Sequence, residues 1–298
     1  MRSVPKLLVL IAFVFPGSTV RAQDTTMYVP AFWVLTEHVT FPSPFEEGWR
    51  YWSSVLSAFN PTGQQGVVRR LRGYTSDGPV DFDPSFNGWL IAPGTGYQNY
   101  LTVGGDGPGF AAISVPPSFV VTAEVKRLLR KHFDGNVDPA PGPGHGYDLG
   151  EGQAPLPVFR ELFPAGKRVI AGPVNLGSPR LPEAGGATIQ KNLRRVNVTL
   201  FNAGDEPASF AIRALKLRKD PAPILVQELT LGPKQVWQVN RLPIPLSPDD
   251  EDMRFDHELL AWVTIDASQP YLAYVSSVFD DPEPGALPFE VFAPQGID

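Results

Sequence analysis

The chain has 298 residues, with 25 Lys and Arg against 31 Asp and Glu, which gives a formal net charge of −6 at pH 7. An acidic protein is a poor candidate for binding nucleic acid or an anionic membrane. The absence of cysteine excludes disulfides, thiol chemistry and cysteine metal sites. The 33 Pro and 28 Gly favour many short strands joined by turns, and a hydrophobic content of 43% is too high for a disordered chain.

Residues 1–22 have the pattern of a secretory signal peptide. Arg2 and Lys6 precede a short apolar run over residues 7–15, and Val20-Arg21-Ala22 provides a small-residue cleavage pattern before Gln23. Removing this segment also removes three basic residues, so the formal net charge goes from −6 to −9. No later segment reaches the roughly 20 apolar residues of a spanning helix. We therefore expect a secreted or periplasmic protein with no membrane span in the mature chain.

The first stretches after the cleavage point are rich in aromatic residues. Residues 27–33 are predicted as a strand, and Pro30 indicates that this strand lies at a sheet edge. Residues 41–52 are aromatic and proline-rich, and the sequence leaves open whether they form a loop or a short helix around residues 46–57.

The clearest local pattern lies in residues 194–217. Val196, Val198 and Leu200 are apolar at every second position, which is the period of a half-buried strand. A turn-forming run follows over residues 202–207, and the alternation resumes beyond it. We therefore predict two strands joined by this turn.

A weaker copy of the same pattern occurs in residues 52–74, where Phe59-Asn60 corresponds to Phe201-Asn202 at an offset of 142 residues. Later landmarks recur in the same order, as a duplicated unit with loop insertions would produce. The matched segments are 90–94 with 230–234, 111–115 with 261–265, 119–121 with 271–273, and 162–166 with 291–296. The sequence thus predicts two domains, residues 23–165 and 166–298, with a boundary near Ala165.

Two segments of the first domain depart from this plan. Residues 131–157 are an insertion with a Gly- and Pro-rich run, which predicts a surface loop. Residues 122–133 place Val125, Leu128 and Leu129 on one face at helical spacing. We expect a strand that ends near Val125 and a short helix beyond it.

The second domain resembles tandem immunoglobulin-like β-sandwich modules of secreted bacterial proteins of unknown function. The resemblance depends on VNVTLFNAGDEPASF at 196–210, LGPKQ at 231–235 and AYVSSVFDDP at 273–282. It implies an all-β fold of two tandem immunoglobulin-like β-sandwich domains that serve in adhesion, spacing or display, with no shared catalytic residues. A more remote likeness is to the two-domain periplasmic pilus chaperones, which also pair two sandwiches behind a signal sequence.

Motifs for catalysis are missing from the sequence. His257-Glu258 begins like a zinc-protease helix motif, but Ala261 stands where the second histidine is required. There is no Gly-x-Ser-x-Gly nucleophile elbow and no glycine-rich phosphate loop. We therefore expect a protein that is not an enzyme and that has no cofactor.

One acidic cluster is a candidate calcium site. The run Asp249, Asp250, Glu251 and Asp252 concentrates carboxylate oxygens on one segment, and extracellular calcium prefers several oxygen ligands on a flexible loop. A run of acidic residues is more often a solvated loop. Calcium is the alternative reading of this cluster.

A second candidate site is aromatic. Trp33, Trp49, Tyr51 and Trp52 are close in sequence, and exposed rings of this kind stack on sugar faces. Packing in the core or between domains is the more frequent role for such residues.

The leading hypothesis from the sequence is a secreted, non-enzymatic protein for interaction, adhesion or surface scaffolding, with a protein or cell-surface partner. The alternative is a carbohydrate-binding or polysaccharide-acting protein that uses the aromatic region 32–52. A further alternative is a periplasmic chaperone-like subunit.

Overall fold

The computed structural model describes residues 24–31, 33–40, 47–82, 88–103, 107–132, 146–176, 194–216, 223–244, 260–278 and 289–297. Every regular element in these ranges is a β-strand, and they contain no helix. The predicted all-β class is therefore confirmed. It follows that these ranges hold no helix of the length and apolar character that a membrane span requires.

The strands divide into two groups along the chain. The first half contains β1 (Thr25–Pro30), β2 (Trp33–Thr40), β3 (Glu47–Phe59), β4 (Gly66–Thr75), β5 (Gly78–Val80), β6 (Gly88–Ile91), β7 (Gly96–Tyr100), β8 (Phe110–Val115), β9 (Val120–His132) and β10 (Gly146–Leu156). The second half contains β11 (Arg168–Asn175), β12 (Arg195–Asn202), β13 (Ala208–Lys216), β14 (Ile224–Leu231), β15 (Val236–Val239), β16 (Leu260–Ala267), β17 (Tyr271–Val278), β18 (Phe289–Phe292) and β19 (Gln295–Ile297). The predicted boundary near Ala165 lies between β10 and β11.

Each half builds two antiparallel sheets from its own strands. In the first half, sheet A has the order β1-β8-β4-β5 with β6 also paired to β4, and sheet B has the order β10-β9-β3-β2 with β7 also paired to β3. In the second half, sheet C has the order β15-β12-β17-β18 and sheet D the order β14-β13-β16-β11-β19.

Apolar side chains from both sheets of a half meet in one core. In the first half, Val29 and Ile113 of sheet A share a buried cluster with Leu56 and Val125 of sheet B. In the second half, Leu200 of sheet C joins a cluster with residues of sheet D. Because alternate residues of a strand point to opposite faces, each sheet contributes one face to its core. Each half is thus a pair of sheets packed face to face.

Strand pairing has the same register at corresponding positions of the two halves. The matching pairs are Phe59–Val120 with Phe201–Leu272, Met27–Ile113 with Val169–Ile265, and Gly66–Ile91 with Ala208–Leu231. Tyr28–Phe159, an isolated bridge, likewise corresponds to the pair Ile170–Gln295. The ladders therefore follow the offsets of 140 to 152 residues that the sequence indicated.

The strand order differs from that of an immunoglobulin domain. In an immunoglobulin sandwich the first two strands of a domain pair within one sheet. Here β11 and β12 lie in different sheets, and β11 pairs with β16 instead. The expected likeness therefore extends to the two-sheet antiparallel sandwich but not to the connectivity.

The helix expected within residues 122–133 is wrong. Strand β9 runs from Val120 to His132 without interruption and pairs with β3 along one edge and with β10 along the other. The apolar spacing that suggested a helix is outweighed because both edges of the segment have backbone partners. The surface loop expected over residues 131–157 is also wrong in part, since residues 146–156 form β10. Strand β3 likewise decides the segment 46–57 in favour of an extended conformation.

A buried asparagine organises the turn that follows β12. The Asn202 side chain is fully buried, and its Nδ2 donates to the carbonyl oxygens of Glu206 (2.8 Å), Gly232 (2.8 Å) and Leu231 (3.3 Å). Its Oδ1 accepts a hydrogen bond from the Gly204 amide at 2.9 Å. One side chain thus ties the turn after β12 to the end of β14.

Asn60 has the same role in the first half. It is also fully buried, and its Nδ2 donates to the carbonyl oxygens of Gln64 (2.8 Å) and Ile91 (3.1 Å). Its Oδ1 accepts hydrogen bonds from Thr62. The residues that the repeat aligned at 142 positions therefore make equivalent contacts.

The two halves are joined by a shared aromatic cluster. Phe201 projects from the outer face of sheet C and packs against Tyr28, Tyr74 and Phe110 on the outer face of sheet A. The ring centroids lie 6.2, 4.6 and 5.5 Å from that of Phe201. The outer face of sheet C is therefore covered by the first half, and β12 and β17 are buried on both faces.

The segment between the halves contributes to this contact. Phe159 forms a bridge with Tyr28 of β1, and Phe163 forms a bridge with Tyr271 of β17. Two backbone hydrogen bonds hold each bridge, at 2.8 and 2.9 Å for the first and at 2.9 Å for both bonds of the second. Because one segment pairs with both halves, it fixes one against the other.

Candidate interaction surface

An exposed apolar surface lies on the outer face of sheet B, where β7, β3 and β9 end. We define the Phe59 face as Ser57, Phe59, Gly96, Gln98, Val120 and Thr122, which line a shallow groove. The residues form two rows across the sheet, because Ser57 pairs with Gln98 and Thr122, and Phe59 pairs with Gly96 and Val120.

The apolar row of this face is open to solvent. Phe59 is 43% exposed and Val120 is 55% exposed. Gly96 stands beside Phe59, and a Cβ built at this glycine would approach the Phe59 ring no closer than 3.8 Å. The row therefore presents an aromatic ring and a branched side chain with a gap on one side of the ring.

The polar row is held by internal hydrogen bonds. The Gln98 amide nitrogen donates to Ser57 Oγ at 3.1 Å and to Glu124 Oε1 at 3.2 Å. The Glu124 carboxylate also pairs with Lys126 Nζ at 2.8 Å. These contacts satisfy polar groups beside the apolar row without covering it.

The corresponding face of the second half is buried. Phe201, Leu272 and Val236 occupy the positions of Phe59, Val120 and Gly96, and their exposed fractions are 1%, 0% and 0%. The residues that cover them are those of the aromatic cluster between the halves. The same sheet face is thus an interface in the second half and free surface in the first.

A second outer face, on sheet D, is the counterpart of the face that covers Phe201. We define the Trp262 face as Ile170, Leu215, Trp262 and Thr264. Pairing places Ile170 opposite Thr264 and Leu215 opposite Trp262. Its three large apolar side chains are partly exposed.

Charged residues border the Trp262 face. The Arg213 guanidinium makes a short ion pair with Asp266, and Arg168 Nε lies 3.6 Å from the same carboxylate. All three are partly or largely solvent-accessible, so the ion pairs add little stability. They line a shallow polar groove next to the apolar side chains.

Cation–π contacts order the sheet edge near the Phe59 face. The Arg70 guanidinium lies 4.9 Å from the Trp89 ring centroid and 5.4 Å from that of Phe82. Trp89 in turn packs against Tyr97, with ring centroids 5.9 Å apart. Burial lowers the pKa of Arg70 below its usual value, and the aromatic rings compensate part of the lost hydration.

The tyrosines between the halves are neutral at physiological pH. Burial raises the pKa of Tyr274 to about 12, and the Thr199 hydrogen bond lowers it slightly. Burial also raises the pKa of Tyr28 and of Tyr74. Their phenol groups are therefore uncharged in the interface, as its apolar character requires.

The aromatic residues predicted as a sugar platform do not share one surface. Tyr51 is 4% exposed, and Trp52 is half-buried with the Arg127 guanidinium 5.8 Å from its ring. Consecutive strand residues point to opposite faces, so Tyr51 and Trp52 cannot stack on the same ligand. Trp33 pairs with Ser53 and Trp49 with His38 along the backbone, and the orientation of these two indoles lies outside the described residues.

The acidic cluster Asp249, Asp250, Glu251 and Asp252 lies outside the described residues, as does the predicted signal peptide 1–22. In the ranges that the structure describes, no three His, Asp or Glu side chains stand close enough to hold a metal ion. Calcium binding at residues 249–252 therefore stays a prediction.

The sequence contained a signal for the covered face that its strand pattern did not bring out. Leu200 and Phe201 are consecutive large apolar residues at the end of β12, and β17 is apolar at most positions. Continuous apolar runs are typical of strands buried on both faces. The alternation in 196–200 identified the core face and left the outer face unassigned.

No protein-family model, curated protein or solved structure matches the chain significantly.

Proposed function

We propose that the chain is a secreted, non-enzymatic interaction protein that acts in adhesion or as a surface scaffold. It consists of two tandem β-sandwich domains, residues 23–165 and 166–298, behind the signal peptide 1–22. The domains are immunoglobulin-like in the broad sense of two packed antiparallel sheets, and they arose by duplication. The equal registers of the two halves and the matching contacts of Asn60 and Asn202 support the duplication.

One observation carries the proposal. The Phe59 face is open and apolar, whereas its counterpart around Phe201 is buried in a contact between folded sheets. A surface that already serves as a protein interface in one copy has the shape and chemistry to do so in the other. This observation favours a protein partner over a small substrate.

The absence of an enclosed polar site in the described ranges points the same way. The two grooves of the outer faces are shallow, and neither has a nucleophile held by a base. Catalytic sites need convergent polar groups in a pocket that excludes water. An open sheet face instead suits the docking of another surface.

The test is an array of purified glycans and surface proteins, including the protein itself, probed with the wild type and with Val120→Lys. We expect saturable binding to at least one protein and a loss of at least about tenfold in affinity in the variant, because a lysine at the centre of the contact has to be desolvated. Leu90→Lys is the matched control, since Leu90 is 61% exposed and lies on sheet A outside the Phe59 face.

Two results would contradict the proposal. One is saturable binding to a glycan that Val120→Lys leaves unchanged. The other is protein binding that Val120→Lys and Leu90→Lys weaken equally, because the Phe59 face would then have no special part in it.

A further inference from the structure

We propose that the Phe59 face of one molecule binds the Trp262 face of a second copy of this chain, so that molecules join head to tail. This inference deepens the proposed function by naming the partner of the Phe59 face, and it rests on that function. It is argued from the contact that already exists between the two halves.

The internal contact joins two different surfaces. The first half contributes the outer face of sheet A, with Tyr28, Tyr74 and Phe110, and the second half contributes the outer face of sheet C, with Phe201 at its centre. A contact between unlike surfaces is heterologous, and each unit that makes it keeps one surface of each kind unused at the ends. The molecule therefore ends in an unused partner for each side of its own interface.

The first unused surface is the Phe59 face. Phe59 occupies the position of Phe201, and Val120 occupies that of Leu272, by the registers of β3 and β12 with β9 and β17. Gln98 and Gln238 also correspond, and each lies in the row next to the aromatic residue. The surface that the first half covers in the second half thus recurs, uncovered, on the first half itself.

The second unused surface is the Trp262 face. Ile170 corresponds to Tyr28, because Ile170 pairs with Thr264 as Tyr28 pairs with Ala112. Trp262 and Leu215, which pair with each other, correspond to the paired residues Phe110 and Tyr74. All three positions of the covering triad are therefore large and apolar in both halves.

The geometry of the internal contact specifies the external one. Phe201 lies among Tyr28, Tyr74 and Phe110, with centroid separations of 4.6 to 6.2 Å. In the head-to-tail contact, Phe59 of the next molecule lies among Ile170, Leu215 and Trp262. Repeating a heterologous contact gives an open chain of molecules unless the rotation closes a ring.

The ion pairs beside the Trp262 face are compatible with this docking. Asp266 has Arg213 and Arg168 as its own partners, so the border of the face carries no unpaired carboxylate from this cluster. On the opposing side, Glu124 is paired with Lys126. Paired charges at a rim neither drive nor prevent the burial of the apolar centre.

The decisive experiment blocks one end of the molecule at a time. Phe59→Asp removes the Phe59 face and keeps the Trp262 face, while Trp262→Asp does the reverse. Sedimentation velocity over a range of concentrations is expected to show growing species for the wild type and monomers for each variant alone. An equimolar mixture of the two variants has one intact pair of ends and is expected to form a dimer and nothing larger.

Folding of the variants is checked by circular dichroism and thermal melting. Val120→Lys and Ile170→Lys are the second variants for the two faces, to be used wherever an aspartate variant does not fold. Leu90→Asp is the matched control and is expected to associate as the wild type does.

Three outcomes would overturn the head-to-tail contact. They are a wild type that stays monomeric at every concentration, association that none of the face variants weakens, and a mixture of end-blocked variants that stays monomeric although the wild type associates. If the wild type is monomeric but Val120→Lys loses binding to another protein on the array, the self-association is wrong and the proposed function stands. If Val120→Lys retains all protein binding, the proposed function itself is wrong.

Discussion

Replacing Phe201 with alanine is expected to lower the free energy of unfolding by about 3–5 kcal/mol, the usual cost of removing a fully buried phenylalanine ring. Phe201 is the ring against which Tyr28, Tyr74 and Phe110 pack, so its removal leaves a cavity between the halves. Denaturant unfolding followed by tryptophan fluorescence measures the change.

Phe59→Ala is the matched control, because the two phenylalanines occupy the same position of corresponding strands. Phe59 is 43% exposed, and its loss is expected to cost at most about 1 kcal/mol in the monomer, since only part of the ring leaves an apolar environment. Equal losses for the two variants would contradict the assignment of one face as covered and the other as free.

The second large effect is expected at the buried asparagine. Asn202→Ala should lower the free energy of unfolding by about 2–4 kcal/mol, because each buried backbone group left without a partner costs roughly 1–3 kcal/mol. The carbonyl oxygens of Glu206 and Gly232 and the Gly204 amide all lose the side-chain partner. Denaturant unfolding is again the measurement.

Asn202→Asp separates hydrogen bonding from packing, because aspartate has nearly the same size. Its carboxylate has no N–H to offer the carbonyl oxygens and would be a buried charge, so we expect a loss at least as large as that of the alanine variant. Asn240→Ala is the control: Asn240 is exposed and accepts one hydrogen bond, from Gln238 at 2.6 Å. An Asn202→Ala protein as stable as Asn240→Ala would show that the turn does not depend on this side chain.

Local features of the fold were predictable where a short pattern determines them. The turn at 202–207 and the alternation in 196–200 place β12 and β13 correctly, because turn residues and core-facing positions act over a few residues. The offset of 142 residues also aligned Asn60 with Asn202, which the hydrogen bonds of the two side chains bear out.

The errors arose where distant strands determine the outcome. Residues 122–133 have a helical spacing of apolar side chains, but the edges of this segment are occupied by β3 and β10, which are remote in sequence. Residues 146–156 looked like part of a loop for the same reason, since their only partner strand is β9. Pairing of this kind is a tertiary effect that local propensity does not contain.

The candidate surface could not be predicted from single residues. Phe59 and Phe201 have the same neighbour, an asparagine that ends the strand, yet one is exposed and the other is buried. The difference is produced by the way the first half lies on the second, which depends on Tyr28, Tyr74 and Phe110 together. Tyr51 and Trp52, chosen as an aromatic cluster by proximity in sequence, are instead divided between the two faces of sheet B.

The central claim is that corresponding sheet faces are free in the first half and covered in the second, and cysteine labelling tests it most directly. The chain has no cysteine, so a single cysteine at Val120 or at Leu272 is the sole thiol in each variant. Val120 is 55% exposed and Leu272 is 0% exposed. At high dilution, the account predicts rapid maleimide labelling of Val120→Cys and slow labelling of Leu272→Cys, with equal rates after unfolding. Equal labelling rates in the two folded variants would contradict it.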